Sequence, residues 1–324
     1  MTVRVGQAGL GEWGKNLARN FADLADLAWL SDPAEGKSDE FGSRYPQARW
    51  ADSFEEMLAD ESLDAVVVAT PVPTHYELAK QALEAGKHVF VEKPPAMKGA
   101  EIDELVAIAE ERDLVLMPGH LLLYHPGVLK LKELVDKGDL GDVLMVYGNR
   151  QNLGVIRRHE NALWSLGVHD LSVILYLLDE DPVEAVALGQ SLLKTGVEDV
   201  VFCYLRFPSG KIAHMHLSWL DPHKMRKMTV VGTEKMAVFD DMELDRKVTV
   251  YEKSPWRPVD TYGEWQTRTG DIHIPKIPTD EPLKLECRAF LSLVEGDGDR
   301  RQVARDGARV VRALDMLTTS LDGG

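Results

Sequence analysis

Short apolar runs and amphipathic runs alternate through the first third of the chain. Apolar runs of β-type residues fall at 3–8, 27–31, 65–69, 88–91 and 114–117, and helical spacing of apolar positions fills 13–24, 53–59, 74–84 and 100–112 between them. Such alternation predicts βαβ units and a parallel sheet. Gly86, directly after the third helical run, is placed to cap it. Beyond Gly119 the texture changes. A helix over 126–137, a strand over 142–149 and a helix over 161–178 precede β-type segments at 183–189, 199–207, 211–219, 227–232, 236–240 and 247–251. Turns as short as Pro208-Ser209-Gly210 join them, which predicts a largely antiparallel sheet. Helices over 283–294 and 303–318 close the chain. The expected fold is α/β: a Rossmann domain over 1–119, then a substrate-binding and oligomerisation domain over 120–324 with an open, mostly antiparallel sheet. The terminal helices can pack back on the first domain.

Composition narrows the partners. A chain of 324 residues exceeds what one hydrophobic core usually supports, in line with two domains. The net charge of −16 repels nucleic-acid phosphates and anionic membranes, so neither is an expected partner. A small anionic substrate stays open, because a few local Arg or Lys override a distant screened field. Residues 1–11 carry no basic start ahead of an apolar stretch, and no apolar run reaches the ~18 residues of a membrane span. The two cysteines, Cys203 and Cys287, form neither a disulfide framework nor a metal ligand set. A reducing cytoplasm is the expected location.

Gly9-Leu10-Gly11-Glu12-Trp13-Gly14 follows the first β-type run and opens a helix. In a dinucleotide-binding turn Gly9 permits the tight bend, Gly11 lets the backbone approach a pyrophosphate, and Gly14 lets helix and strand pack closely. The helix N-terminus then presents unpaired N–H groups to the phosphates. The spacing alone also suits a purely structural turn. Asp32 ends the second apolar run, where a carboxylate accepts from the adenosine ribose hydroxyls and repels a 2′-phosphate. That favours NAD over NADP, with Lys37 close enough to leave the choice open. Asp32-Pro33 can equally start a turn.

Two further segments, Thr70-Pro71 leading to His75 and Glu92-Lys93-Pro94, end the third and fourth apolar runs. Ligands of open α/β sheets bind outside the carboxyl ends of the strands, so both point at one crevice. Glu92-Lys93 read as a surface ion pair would carry little. The glycine turn, Thr70-Pro71 with His75, and Gly86-Lys87-His88 leading to Glu92-Lys93-Pro94 together resemble the Gfo/Idh/MocA family of oxidoreductases. The resemblance covers nearly the whole chain and implies NAD as cofactor, held by Gly9, Leu10, Gly11, Glu12, Trp13, Gly14, Asp32, Thr70, Pro71, His75, Glu92 and Lys93. It also implies that Lys93 lies beside nicotinamide and substrate. Trp164-Ser165-Leu166-Gly167-Val168-His169-Asp170 is similar to the family's second catalytic stretch, with His169 at the histidine and Ser165 where the family carries an acidic residue.

The blocks 121–126, 150–157 and 161–164 are similar to the branch that oxidises the 3-hydroxyl of UDP-N-acetylglucosamine or its uronate to a 3-keto sugar. The resemblance therefore implies an enzyme, an NAD-dependent oxidoreductase acting on a sugar CH–OH group, with Lys93, Tyr124, Asn152, Arg157, Ser165 and His169 at the substrate. In that reading Lys93 stabilises the developing alkoxide and His169, with an ordinary pKa of about 6.5, is the general base. An inositol or sugar dehydrogenase, a nucleotide-sugar 3-ketoreductase and a non-catalytic dinucleotide sensor are the alternatives. Arg157 and Arg158 read equally as a phosphate-binding fork or a solvated loop. His214 and His216 share a strand face but lack a third ligand at suitable spacing, so no metal is expected. Aromatic and apolar residues of the later strands suit a face buried against another copy, a homodimer or homotetramer built through the C-terminal sheet.

Overall fold

A computed structural model describes residues 2–154, 156, 160–193, 196–256 and 264–323. The chain divides into two compact units: residues up to Tyr124 with Asp280–Arg312, and His125–Thr279 with the residues from Ala313 on.

The first unit is a doubly wound sheet. Strands β1 (Arg4–Ala8), β2 (Asp26–Ser31), β3 (Arg49–Trp50), β4 (Ala65–Val68), β5 (His88–Val91) and β6 (Leu116–Pro118) lie in the order β3-β2-β1-β4-β5-β6. Every pair is parallel. Helices α1 (Gly14–Leu24), α2 (Lys37–Arg44), α3 (Phe54–Leu58), α4 (His75–Glu84) and α5 (Gly99–Glu111) make the crossovers. Ala65–Val68 is buried at every position, because helices cover both faces of a parallel sheet. Phe21, Phe90 and Phe290 meet edge to face at 5.7–6.0 Å between ring centres, so α8 (Pro282–Glu295) closes this core from the far end of the sequence. Gly86, at φ +76°, supplies the left-handed residue that ends α4.

The second unit contains α6 (Pro126–Asp136), β7 (Val143–Gln151), α7 (Val168–Leu178) and strands β8 (Glu184–Gln190) to β14 (Gln266–His273). Between those last two run β9 (Val200–Arg206), β10 (Ile212–Ser218), β11 (Met225–Gly232), β12 (Met236–Asp240) and β13 (Val248–Trp256). The order is β14-β13-β12-β11-β7-β10-β9-β8, and only β7 with β10 runs parallel. Burial alternates along β9, the mark of a sheet with one covered face. The register aligns Val186, Tyr204, His214 and Tyr147 in one row of the outer face, and Leu188, Phe202 and His216 in the next. His214 stacks on Tyr147 at 4.8 Å and His216 on Phe202 at 4.3 Å. Phe202 and Leu188 remain 53% and 67% exposed. The last helix, α9 (Arg300–Asp322), extends at both ends beyond its expected span.

The helix expected over 161–178 differs in one respect. Leu163–Gly167 forms a π-helical turn, and α7 begins only at Val168. The extra residue in that turn changes the register between Ser165 and His169. Strand β14 was not expected at all: all eight of its residues are exposed, so it carries no apolar alternation.

Candidate active site

The carboxyl end of the parallel sheet is built around the glycine turn. Gly9 adopts φ +92°, and a Cβ there would lie 2.4 Å from the Ala69 carbonyl oxygen. A Cβ on Gly14 would lie 2.3 Å from the Gly9 carbonyl oxygen. These two glycines are required by packing. Gly11 differs: nothing lies within 4 Å of a Cβ placed on it. The space above Gly11 is thus open to another molecule, as a pyrophosphate requires. Gln7, fully buried in β1, donates from Nε2 to the Gly9 carbonyl at 2.9 Å and the Gly14 carbonyl at 2.7 Å, tying both ends of the turn together. Its signal in the sequence was an amide inside an apolar run.

Asp32 accepts from the Leu10 N–H at 2.6 Å and, through its other oxygen, from the Ala34 N–H at 2.9 Å. Each carboxylate oxygen keeps a further lone pair for a ribose hydroxyl. Glu12 is exposed, and Trp13, 41% exposed, donates its indole N–H to Glu92 at 2.6 Å. Thr70 and Thr74 share a hydroxyl hydrogen bond of 2.7 Å, and the Thr74 hydroxyl donates to the Pro71 carbonyl at 2.8 Å. His75 turns inward: its ring nitrogens lie 2.9 Å from the Pro94 carbonyl and 2.7 Å from the Thr70 carbonyl. The ring therefore ties the turn after β4 to the turn after β5. Lys87 does similar work, donating to the Asp60 and Leu63 carbonyls at 2.9 and 2.8 Å.

Lys93 stands two residues past β5, and its backbone N–H donates to the Glu92 carboxyl at 3.2 Å. Burial pushes the Glu92 carboxyl up to about 7, against the pull of the Lys93 charge. Glu286 on α8 is fully buried, and neither of its carboxyl oxygens has a hydrogen-bond partner among the described residues. Burial first, and Glu92 second, raise it well above the usual carboxylate range. Sequence reasoning missed Glu286, a charged residue on the same helix as buried Leu283, Cys287 and Phe290. It also missed His120, directly after Gly119, whose Cα packs against the Glu92 carboxyl (a Cβ would be 3.1 Å away). Tyr124 closes the short 3-10 turn Leu121–Tyr124 and points its hydroxyl at the Met117 sulfur at 3.9 Å.

In the second unit, the end of β10 gathers two of the expected substrate residues. Asn152 donates its backbone N–H to the Ser218 carbonyl at 3.1 Å, and Ser165 accepts from the Trp219 indole N–H at 3.2 Å. His169 lies in the first turn of α7, half-buried. Next to it, Asp170 is held by the Arg150 guanidinium at 2.7 Å, both side chains buried. Removing one partner of such a pair costs about 3–5 kcal/mol, so the start of α7 is firmly fixed. Arg157 lies outside the described residues. The two histidines at 214 and 216 stack on aromatic rings.

The strand order, the open glycine turn and the carboxylate at the end of β2 define a dinucleotide-binding oxidoreductase fold. Comparison with known proteins agrees. The family model described as an oxidoreductase family with an NAD-binding Rossmann fold matches residues 3–120, and the model of the Gfo/Idh/MocA C-terminal domain matches 128–238. The chain belongs to the Gfo/Idh/MocA family of oxidoreductases, and NAD is its cofactor. The UDP-N-acetylglucosamine 3-dehydrogenase of Acidithiobacillus ferrooxidans is 27% identical over 74% of each chain. A crystal structure of it superposes with a TM-score of 0.84 at 24% identity, covering 100% of this chain and 98% of that one. The 1,5-anhydro-D-fructose reductase of Ensifer adhaerens is 30% identical over 79% of this chain and 76% of its own. The scyllo-inositol 2-dehydrogenase of Bacillus subtilis is 26% identical over 72% of each. Among the described residues, no helix is long and apolar enough to cross a membrane.

Gly11→Val leaves the thermal midpoint of unfolding unchanged but weakens NADH binding about tenfold or more, about 1.4 kcal/mol, by fluorescence titration. Gly14→Ala instead lowers stability by about 1–3 kcal/mol, because the new methyl meets backbone. Glu92 sets a pH dependence. The folded protein keeps this proton up to about pH 7, while the unfolded chain releases it near the ordinary carboxylate value. The folded state thus binds more protons in that window, and stability falls as pH rises through it. Glu92→Gln makes the decline between pH 5 and 7 shallower in urea unfolding. An unchanged slope places the carboxyl in water.

Proposed function

We propose that this protein is a nucleotide-sugar 3-dehydrogenase, oxidising the 3-hydroxyl of UDP-N-acetylglucosamine or its uronate to a ketone. The observation that carries the reading is Lys93 at the carboxyl end of β5, on the same sheet edge as the open Gly11 turn. The similarity to the Acidithiobacillus enzyme supports the choice of sugar. NAD, when bound, takes up the hydrogen and two electrons that leave the sugar carbon. Gly9–Gly14 and Asp32 hold its pyrophosphate and adenosine ribose, with Thr70, Pro71 and Glu92 alongside. Lys93 stabilises the negative charge that develops on the hydroxyl oxygen. His169 accepts the hydroxyl proton. Tyr124, Asn152, Arg157 and Ser165 contact the nucleotide-sugar. With Ser165 at the usual acidic position, His169 works without a carboxylate partner from that position.

The inositol dehydrogenase and anhydrofructose reductase relatives favour a second reading, a dehydrogenase of free polyols or sugars. A second copy of the chain covers the outer sheet face. Leu188, Phe202, Tyr204 and Val186 expose more apolar surface there than an isolated soluble face usually leaves uncovered.

NADH formation measured on UDP-N-acetylglucosamine, its uronate and myo-inositol separates the readings. Turnover is expected on a nucleotide-sugar, and Lys93→Ala cuts it by about 10²-fold or more while NADH still binds. Turnover of myo-inositol alone, or full activity in the variant, sinks the proposal. No turnover with any of them despite tight NAD binding points to a sensor. Phe202→Glu together with Leu188→Glu reduces the sedimentation coefficient to that of a monomer; an unaltered assembly puts the interface elsewhere.

A further inference from the structure

His120 is buried at 3% exposure, and neither ring nitrogen has a hydrogen-bond partner among the described residues. Its backbone is well tied, the N–H donating to the Pro118 carbonyl at 2.8 Å and the carbonyl accepting from Leu123 at 2.9 Å. The unmet groups are therefore confined to the side chain. Buried imidazoles rarely go without partners, since an unmet donor or acceptor costs about 1–3 kcal/mol. Register places this residue. Strands β5 and β6 are parallel with Val91 opposite Pro118, and the Gly119 N–H donates to the Val91 carbonyl at 2.8 Å. Lys93 and His120 each follow two residues beyond that pair, on neighbouring strand ends. Burial first, and the Lys93 charge second, lower the imidazole pKa to about 4. At neutral pH the ring is uncharged, with one N–H donor and one lone-pair acceptor.

We infer that His120 contacts the ligand: in the complex its acceptor nitrogen receives a hydrogen bond from Lys93, and its N–H donates to an uncharged oxygen of the bound molecule. That oxygen is a sugar hydroxyl or the carboxamide of a nicotinamide. The inference rests on the dehydrogenase reading of this sheet edge. It makes His120 both a contact and a positioning group for the Lys93 ammonium.

The test begins with protein carrying ring-15N histidine. The His120 ring resonance, assigned with His120→Gln, is expected to shift on adding NADH if the carboxamide is the partner. It shifts on adding UDP-N-acetylglucosamine to the NADH complex if a hydroxyl is. The matching constant, NADH dissociation or sugar KM, rises about tenfold in His120→Leu and recovers in His120→Gln, which keeps a donor and an acceptor. Should His120→Leu not fold, the resonance of the unsubstituted protein decides. A resonance that NADH and each sugar leave unmoved, in protein shown to bind NADH, overturns the inference and leaves the ring to internal water. Because the NADH arm needs no turnover, it separates this outcome from failure of the dehydrogenase proposal. Normal turnover with an indifferent His120 removes only the inference.

Discussion

Where β1 and β4 end side by side, Gly9 has no room for a side chain, because a Cβ would collide with the Ala69 carbonyl. The strand order reverses at this point, and the two strand ends must diverge to leave a crevice. Close approach at Gly9 sends the chain over the edge of the sheet and into α1. Gln7 then fixes the width of the turn from below, with one amide nitrogen reaching both the Gly9 and Gly14 carbonyls. Asp32 fixes it from the side through the Leu10 N–H. Three buried or half-buried polar contacts thus hold open a space that has no contact of its own at Gly11.

The second unit solves a different problem. One face of its eight-stranded sheet is covered: a Cβ on Gly148 of β7 would fall 2.6 Å from the Asp170 carboxylate on α7. That approach lets Arg150, on the same strand, grip Asp170. The pair fixes the axial position of α7, and with it His169. The opposite face carries rows of aromatic and aliphatic side chains at matched register, and the stacked histidines extend those rows with ring surface. A solvent face built for water would alternate charges there, as β11 begins to do with Lys227 opposite Asp240.

Legibility in the sequence followed physical strength. The parallel strands were readable because they are buried on both sides and so are apolar throughout. β14 was not, since an edge strand with every side chain in solvent leaves no periodic trace. Neither was the π-turn at Leu163–Gly167, which depends on packing around Ser165 and Trp219. Motif residues divided in the same way. Gly9 and Gly14 were visible by spacing, and Lys93 through the family resemblance. His75 and Lys87 belong to the same motifs, but their hydrogen bonds go to backbone carbonyls, so proximity in sequence to a ligand-binding turn did not make them surface residues. Gln7, His120 and Glu286 escaped notice because a single polar residue in an apolar run looks like noise until its burial is known.

His120 and Glu92 share the electrostatics around Lys93, and Glu286 acts on Glu92. A lysine that meets a full carboxylate is neutralised and offers little to a developing oxyanion. Here burial holds the proton on Glu286 and keeps about half of the Glu92 carboxyls protonated near pH 7. It also keeps His120 uncharged. Glu286, and Glu92 in part, are thereby kept from supplying the negative charge a carboxylate carries in water, and His120 adds no positive charge beside Lys93. The low-dielectric setting that suppresses them strengthens whatever interaction Lys93 makes with a new negative charge. Apolar packing of α8 against the sheet, through Phe290 and Cys287, accompanies the full burial of Glu286.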